Sequence, residues 1–440
     1  MTARLLFIAL DGADSNLIDR WSLDGTLPNL GRLRAKGAAR HLAAPHAATD
    51  DSLWANVQYG VDLGEHGRFH YMQRLAGGKM GMAFKDELDR AHFWDELSAA
   101  GKRVAIIDIP KVAPPRAVNG IHLADWLVHG KYLPGPQSYP PELAAEVVAT
   151  FGAALHSHCD YVVHANEAGP EAVRDDFMRS AAMKEAAGLH YLEREAWDLF
   201  AIAFKETHCV GHYFWDMIDP DHPDYDEALR SKLGDPVRAV YQRVDQAVGK
   251  LVDAAGEGAQ VIVLATTKMQ PNGSIHHLHK QLSRALNRAA GEGAIAQLIR
   301  RRRRRRGRIE ILPYGENGTA IRINRTGPDR ERLLHLMEST FGSLKDADTG
   351  AMLTDSMHHP SADYPGARAA QLPDLLVRYR AGKSPASVTA PGIGRIAGHA
   401  PTYRAGNHAC GPFVIGDGGA VQHIGALQDI GSAVTRELAR

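Results

Sequence analysis

Short apolar strands alternate with amphipathic helices along this chain, and that alternation constrains its fold more than any other feature. Asp235-Pro236 opens a helix whose apolar residues Val237, Val240, Tyr241, Val244, Val248 and Leu251 form one core-facing stripe. The apolar run 261–264 follows it, with the length of a buried strand. A helical stretch from about 171 to 196 leads in the same way into a strand over 199–204. Residues 4–10 form a third apolar run, which ends at the turn signal Asp11-Gly12. Helices alternating with such strands predict a largely parallel sheet covered on both faces. Open sheets of this kind place ligands at the carboxyl ends of their strands, where Asp11-Gly12-Ala13-Asp14 stands.

Charge and cysteine usage narrow the function classes. Lys+Arg and Asp+Glu both total 51, so there is no general pull toward nucleic acid or membranes. Cys159, Cys209 and Cys410 are too few for a disulfide framework. The run Leu5-Leu6-Phe7-Ile8-Ala9-Leu10 is too short for a signal sequence, and no apolar run approaches the roughly 18 residues of a membrane span. A soluble cytoplasmic protein without a membrane or nucleic-acid partner is expected.

One stretch carries metal-ligand spacing. In Glu206-Thr207-His208-Cys209-Val210-Gly211-His212 the two histidines are four residues apart, which puts both on one face of a helix. Two ligands alone specify little, and such a pair is as readily surface or core decoration. Asp11 reads equally as a metal ligand or as a helix cap.

Several segments taken in order resemble the type I phosphodiesterase/nucleotide pyrophosphatase family of the alkaline phosphatase superfamily. They are Ala9-Leu10-Asp11-Gly12-Ala13-Asp14, Leu27-Pro28-Asn29-Leu30, and Gly60-Val61 with Gly64, His66 and Gly67. Asp108-Ile109-Pro110-Lys111, Asn119-Gly120-Ile121 and Arg404-Ala405-Gly406-Asn407-His408 continue the match. The resemblance implies an α/β, alkaline-phosphatase-like three-layer sandwich with a mostly parallel sheet, as a single domain over 1–440. A cap insertion is expected over 110–196. A secondary insertion is expected over 285–350, with the Arg-rich segment 300–308 as a solvated stretch or an anion- or RNA-binding one.

The same resemblance implies two metal ions flanking a Thr or Ser nucleophile, and here the chain departs from its family. One metal would be held by Asp11 and by the Asp and His of an S-D-H-G-M motif. This chain reads Ala265-Thr266-Thr267-Lys268-Met269 there, and threonines are poor ligands for Zn²⁺ or Mn²⁺. The other set keeps three ligands: His208 in place of an aspartate, His212, and His408. Ten residues before Gly60 stands Asp50, in register with the family nucleophile, with Thr49 one residue short. Either Thr49 supplies a hydroxyl or Asp50 has replaced it and adds a fourth ligand; a helix N-cap cluster is the bland alternative for the same residues.

These readings predict a mononuclear metalloenzyme with one divalent transition metal, Zn first, Fe or Mn otherwise, on His208, His212 and His408. Thr49, Asp50 and Asp11 are the catalytic candidates, Asp11 as general base or as the group orienting a histidine. Arg404 and His277 are the expected contacts to a small, polar or anionic substrate. The reaction is hydrolysis by metal-bound water or, with Fe or Mn, lyase or oxygen-dependent chemistry. The alternatives are a conventional phosphodiesterase with ligands recruited elsewhere and a non-catalytic binding or scaffold protein.

Overall fold

A computed structural model describes residues 2–439 other than 44, 76–77, 84–87, 89, 113–114, 128–134, 156–161, 294–305 and 400–403. An eight-stranded sheet forms its centre. Its strands are β1 (Ala3–Asp14), β2 (Ala38–His41), β3 (Val104–Ile107), β4 (Gly120–Ala124), β5 (Gln137–Tyr139), β6 (Trp197–Phe204) and β7 (Gln260–Pro271). The eighth follows a smaller sheet made of β8 (Ile309–Leu312), β9 (Gly318–Ile323), β10 (Thr354–His358) and β11 (Leu375–Tyr379), and is therefore β12 (Gly406–Gly416). The spatial order is β2-β12-β7-β1-β6-β3-β4-β5. The interior pairs from β7 to β4 are parallel, whereas β12 runs antiparallel to β7 and β2, and β5 antiparallel to β4.

The sheet is covered on both faces because its interior strands turn apolar side chains to both sides. On β1, Leu6, Ile8 and Leu10 enter one core while Leu5, Phe7 and Ala9 enter the other. The first core is closed by α1 (Ser15–Asp24), α2 (Pro28–Lys36), α4 (Val162–Arg194), α5 (Glu206–Phe214) and α6 (Pro236–Ala255). The six stripe residues of α6 are all buried there. The second core packs α3 (Asp50–Tyr59) and the C-terminal helix Asp429–Ala439. This is the three-layer arrangement expected of an α/β chain with apolar strands of period two.

Described residues of the segment 110–196 contribute to the central sheet and to the first core. β4 and β5 extend the central sheet, and Val173, Phe177, Ala181 and Tyr191 of α4 belong to the first core. Lys184, fully buried on α4, forms an ion pair with Asp108, whose two oxygens also accept from the Trp126 and Leu127 amides at 2.8 and 2.7 Å. Pro- and Gly-rich composition marks the turns of this region and says nothing of which strands it joins. The smaller sheet, in the order β8-β9-β11-β10, packs with His279–Ala289 and Gly327–Gly342 around a third core that reaches from Ile275 to Ile396. The arginines 300–305 lie outside the described residues; Arg306 donates to the Gly78 carbonyl at 2.7 Å.

Candidate metal centre

The carboxyl ends of β1 and β6 converge on one point. Helix α5 begins directly beyond β6, and Thr207 ties it to β1 by donating to the Asp11 carbonyl at 2.8 Å. The four-residue spacing then aims both His208 and His212 into the cleft. His408 reaches the same place from β12, whose antiparallel pairing sets it opposite Met269 of β7. His208 Nε2 lies 2.9 Å from His212 Nε2 and 3.2 Å from His408 Nε2, and all three residues are buried. Nitrogen lone pairs this close repel one another unless a cation or a proton lies among them.

Neighbouring groups fix which nitrogen each ring presents. His212 Nδ1 donates to the Gly406 carbonyl at 2.8 Å, and His208 Nδ1 lies 3.2 Å from Asp11 Oδ2. The Gly406 carbonyl holds the His212 Nδ1 hydrogen and turns Nε2 toward the cluster, while the Asp11 carboxylate stands beside the His208 ring. Trp54 Nε1 donates to Asp11 Oδ1 at 2.8 Å and anchors that carboxylate. Asn407 does the same for the β12 side: its Oδ1 accepts from the His408 amide at 2.9 Å and its amide donates to Asn317 Oδ1 at 3.1 Å.

Asp50 and Thr49 part company. Thr49 is the N-cap of α3; its hydroxyl accepts from the Ser52 amide at 3.1 Å and donates to the Phe69 carbonyl at 2.6 Å. The cap reading is the one realised, and the hydroxyl is committed to it. Asp50 turns the other way. Its carboxylate joins Asp11 and His208 in a second buried group whose ligand atoms all lie within 4.8 Å of one another. Its Oδ1 is buried and has no hydrogen bond. The three Nε2 atoms fit a divalent transition metal as borderline nitrogen donors, with the Asp50 carboxylate in the neighbouring group it forms with Asp11 and His208.

Lys111 was not among the residues singled out from the sequence as a site residue. Its ammonium is paired with Asp50 and lies 3.0 Å from Asp51 Oδ1. Burial pushes the Asp50 carboxyl up, but Lys111, with His408 and His208, outweighs it and holds Asp50 well below the usual carboxylate range. For Lys111, burial favours loss of the proton, and Asp50, Asp51 and Asp11 reverse that preference. Glu316 is a second unforeseen neighbour. It accepts from the Asp50 amide at 2.7 Å and from Arg378 at 3.2 Å, and burial raises its carboxyl to about 7. The only sequence signal for either residue was membership of the Asp108–Lys111 segment; Glu316 carried none.

Arg404 Nη2 lies 2.9 Å from His212 Nε2, at the edge of the centre. His277 is not gathered there: its Nε2 donates to the Pro385 carbonyl at 3.1 Å. Its neighbour His276 is the one whose surroundings include Arg404, and burial followed by that guanidinium lowers it to about 4. Thr266 and Thr267 are buried in β7 with neither hydroxyl hydrogen-bonded, where the family pattern has an aspartate and a histidine.

A family model, type I phosphodiesterase/nucleotide pyrophosphatase, matches residues 5–382. The chain belongs to that family. Among solved structures, phosphonoacetate hydrolase from Sinorhizobium meliloti 1021 in complex with phosphonoformate is similar at a TM-score of 0.59 and 14% identity, over 99% of this chain and 96% of that one. Human ectonucleotide pyrophosphatase/phosphodiesterase 5 is similar at a TM-score of 0.55 and 12% identity, over 99% and 95% of the two chains. An inactive murine form of the latter, in complex with AMP, matches at 0.55 and 11% over the same shares. Among curated proteins, none matches the chain significantly. Family, fold and the three-histidine group make this a metal-dependent, hydrolase-type enzyme of the alkaline phosphatase superfamily. Among the described residues no helix is long and apolar enough to cross a membrane.

Proposed function

We propose that this family member is a mononuclear metal-dependent hydrolase of a small anionic ester or phosphonate. The observation that carries the reading is the convergence of His208, His212 and His408 through Nε2 atoms 2.9 and 3.2 Å apart, beside the orphaned Asp50 Oδ1. A divalent ion would be held by the three histidines, with Asp50 beside them, and would supply Lewis acidity to lower the pKa of water and polarise the scissile group. The protein supplies the rest. The Gly406 carbonyl holds the His212 ring in one tautomer, and the Asp11 carboxylate stands 3.2 Å from His208 Nδ1. Arg404 offers a planar pair of donors at the edge of the centre, suited to a phosphonate or carboxylate oxygen. No free hydroxyl stands where the family nucleophile is expected, because Asp50 occupies that register and Thr49 is tied up as a cap. The nucleophile is therefore water, not a side chain.

The ligand set of three histidines and one carboxylate also suits Fe or Mn, and with them a lyase or oxygen-dependent reaction. Metal analysis of the purified protein, followed by hydrolysis assays on p-nitrophenyl phosphate, its diester and phosphonoacetate, tests the reading. One Zn per chain and turnover of at least one of these, both abolished by His208→Ala or His408→Ala, is the expected result. Protein that binds no divalent transition metal even after reconstitution would overturn it. Iron with oxygen consumption and no hydrolysis would favour the second reading.

A further inference from the structure

Three carboxylates, Asp11, Asp50 and Asp51, are buried beside the histidine cluster, each no more than 8% exposed. Against them stands one ammonium, Lys111, at 3% exposure. Lys111 pairs with two of them, and on the other side Arg404 lies 2.9 Å from His212 Nε2. Each fixed positive charge buried here makes a further divalent ion less favourable. The lysine is placed with some effort. Its backbone sits at φ 61°, a left-handed conformation that costs any residue with a side chain, and the same short loop holds Asp108 at φ 58°. Both contacts of its amine are to the carboxylates that flank the centre, Asp50 and, at 3.0 Å, Asp51. Meanwhile Thr266 and Thr267 leave the opposite wall without ligands.

We propose that the Lys111 ammonium takes the electrostatic place of a second metal ion, so that the working centre is one metal plus one lysine. The inference rests on the mononuclear reading above and deepens it. The ammonium ties the Asp50 and Asp51 carboxylates together and supplies a fixed positive charge beside the histidine cluster. A lysine cannot dissociate, so this half of the centre is independent of metal supply.

The test is Mn²⁺ stoichiometry at saturation, measured on the full-length wild type and on Lys111→Met and Lys111→Arg. Removing the ammonium frees the group of Asp11, Asp50 and His208, whose two carboxylates suit Mn²⁺. Lys111→Met is expected to bind one more Mn²⁺ per chain than the wild type, and Lys111→Arg the same number as the wild type. If Lys111→Met folds only when Mn²⁺ is present, and carries the extra ion, the proposal stands. A Lys111→Met protein that folds and binds no more than the wild type overturns it, as does one that excess Mn²⁺ fails to fold. The deciding quantity is the difference between variants. A wild type that binds no metal therefore counts against the mononuclear reading, while the lysine's role is still decided by the extra ion.

Discussion

Gly12 and His208 are in contact so close that no other residue fits at position 12. A Cβ there would stand 2.6 Å from His208 Cβ and Cγ, and the backbone is at φ +58°. Gly12→Ala is expected to destabilise the fold by about 2–4 kcal/mol, from left-handed strain and overpacking together. It would also swing the His208 ring away from its partners. Urea denaturation and metal content of the purified variant check both effects, and a variant with wild-type metal content would show that the ring position is not set here.

Asp11 acts on the metal through His208. Asp11→Asn keeps the shape and the Trp54 contact on Oδ1 but weakens the charge that holds His208 Nδ1 3.2 Å away. Metal affinity is expected to drop by roughly 10–100-fold, the usual cost of losing such a partner. Competition with a chelator of known affinity measures it.

Arg404→Ala is expected to raise KM for an anionic substrate by roughly 10–100-fold, equivalent to about 1.5–3 kcal/mol for a hydrogen bond to a charged group. Bound metal should be unchanged, since Arg404 is not a ligand. Steady-state kinetics beside metal analysis separate the two.

Lys184 and Asp108 are both completely buried and paired. Lys184→Met strands the Asp108 carboxylate, and the expected loss is about 3–5 kcal/mol. The double variant Lys184→Met with Asp108→Asn should recover part of it. Equilibrium unfolding of the four proteins gives the coupling directly.

Acid should unfold the protein from near pH 6.5 downward. Burial pulls His66, His122 and His279 each down to about 3. Folded, these rings stay neutral; unfolded, they take up a proton below about 6.5. Their contribution is therefore fully present above pH 6.5 and is lost as pH falls toward 3, at about 1.4 kcal/mol per unit for each. His122 is the clearest case, since neither ring nitrogen has a hydrogen-bond partner. His122→Leu should lose about 2 kcal/mol less between pH 6.5 and pH 5 than the wild type. Unfolding curves at the two pH values decide it.

The strands and helices around the centre were legible because periodicity encodes them. The α6 stripe from Val237 to Leu251 is buried as its spacing predicts, and the strand expected over 261–264 is the interior of Gln260–Pro271. His208 and His212 share a face for the same reason. What periodicity does not encode was missed. Lys111 follows a proline in a loop, and no pattern announces a lysine at positive φ. Glu316 precedes a strand of the smaller sheet and reaches Asp50 only through the packing of the two sheets, 266 positions away in sequence. Thr49 carried the right residue type for a nucleophile, but a threonine three residues before a serine is equally a capping box, and local hydrogen bonding won.

The distance along the chain between His208 and His408 has a meaning in time. The two rings meet at 3.2 Å, yet 200 residues separate them. During synthesis at about 5–20 residues per second, the earlier ring waits roughly 10–40 s for the later one. For that interval the nascent chain offers a two-nitrogen site, too weak to hold an ion against cellular competitors. A three-nitrogen site exists only once the antiparallel strand carrying His408 has slotted in beside β7. On the function proposed above, metal loading would report that this strand is in place.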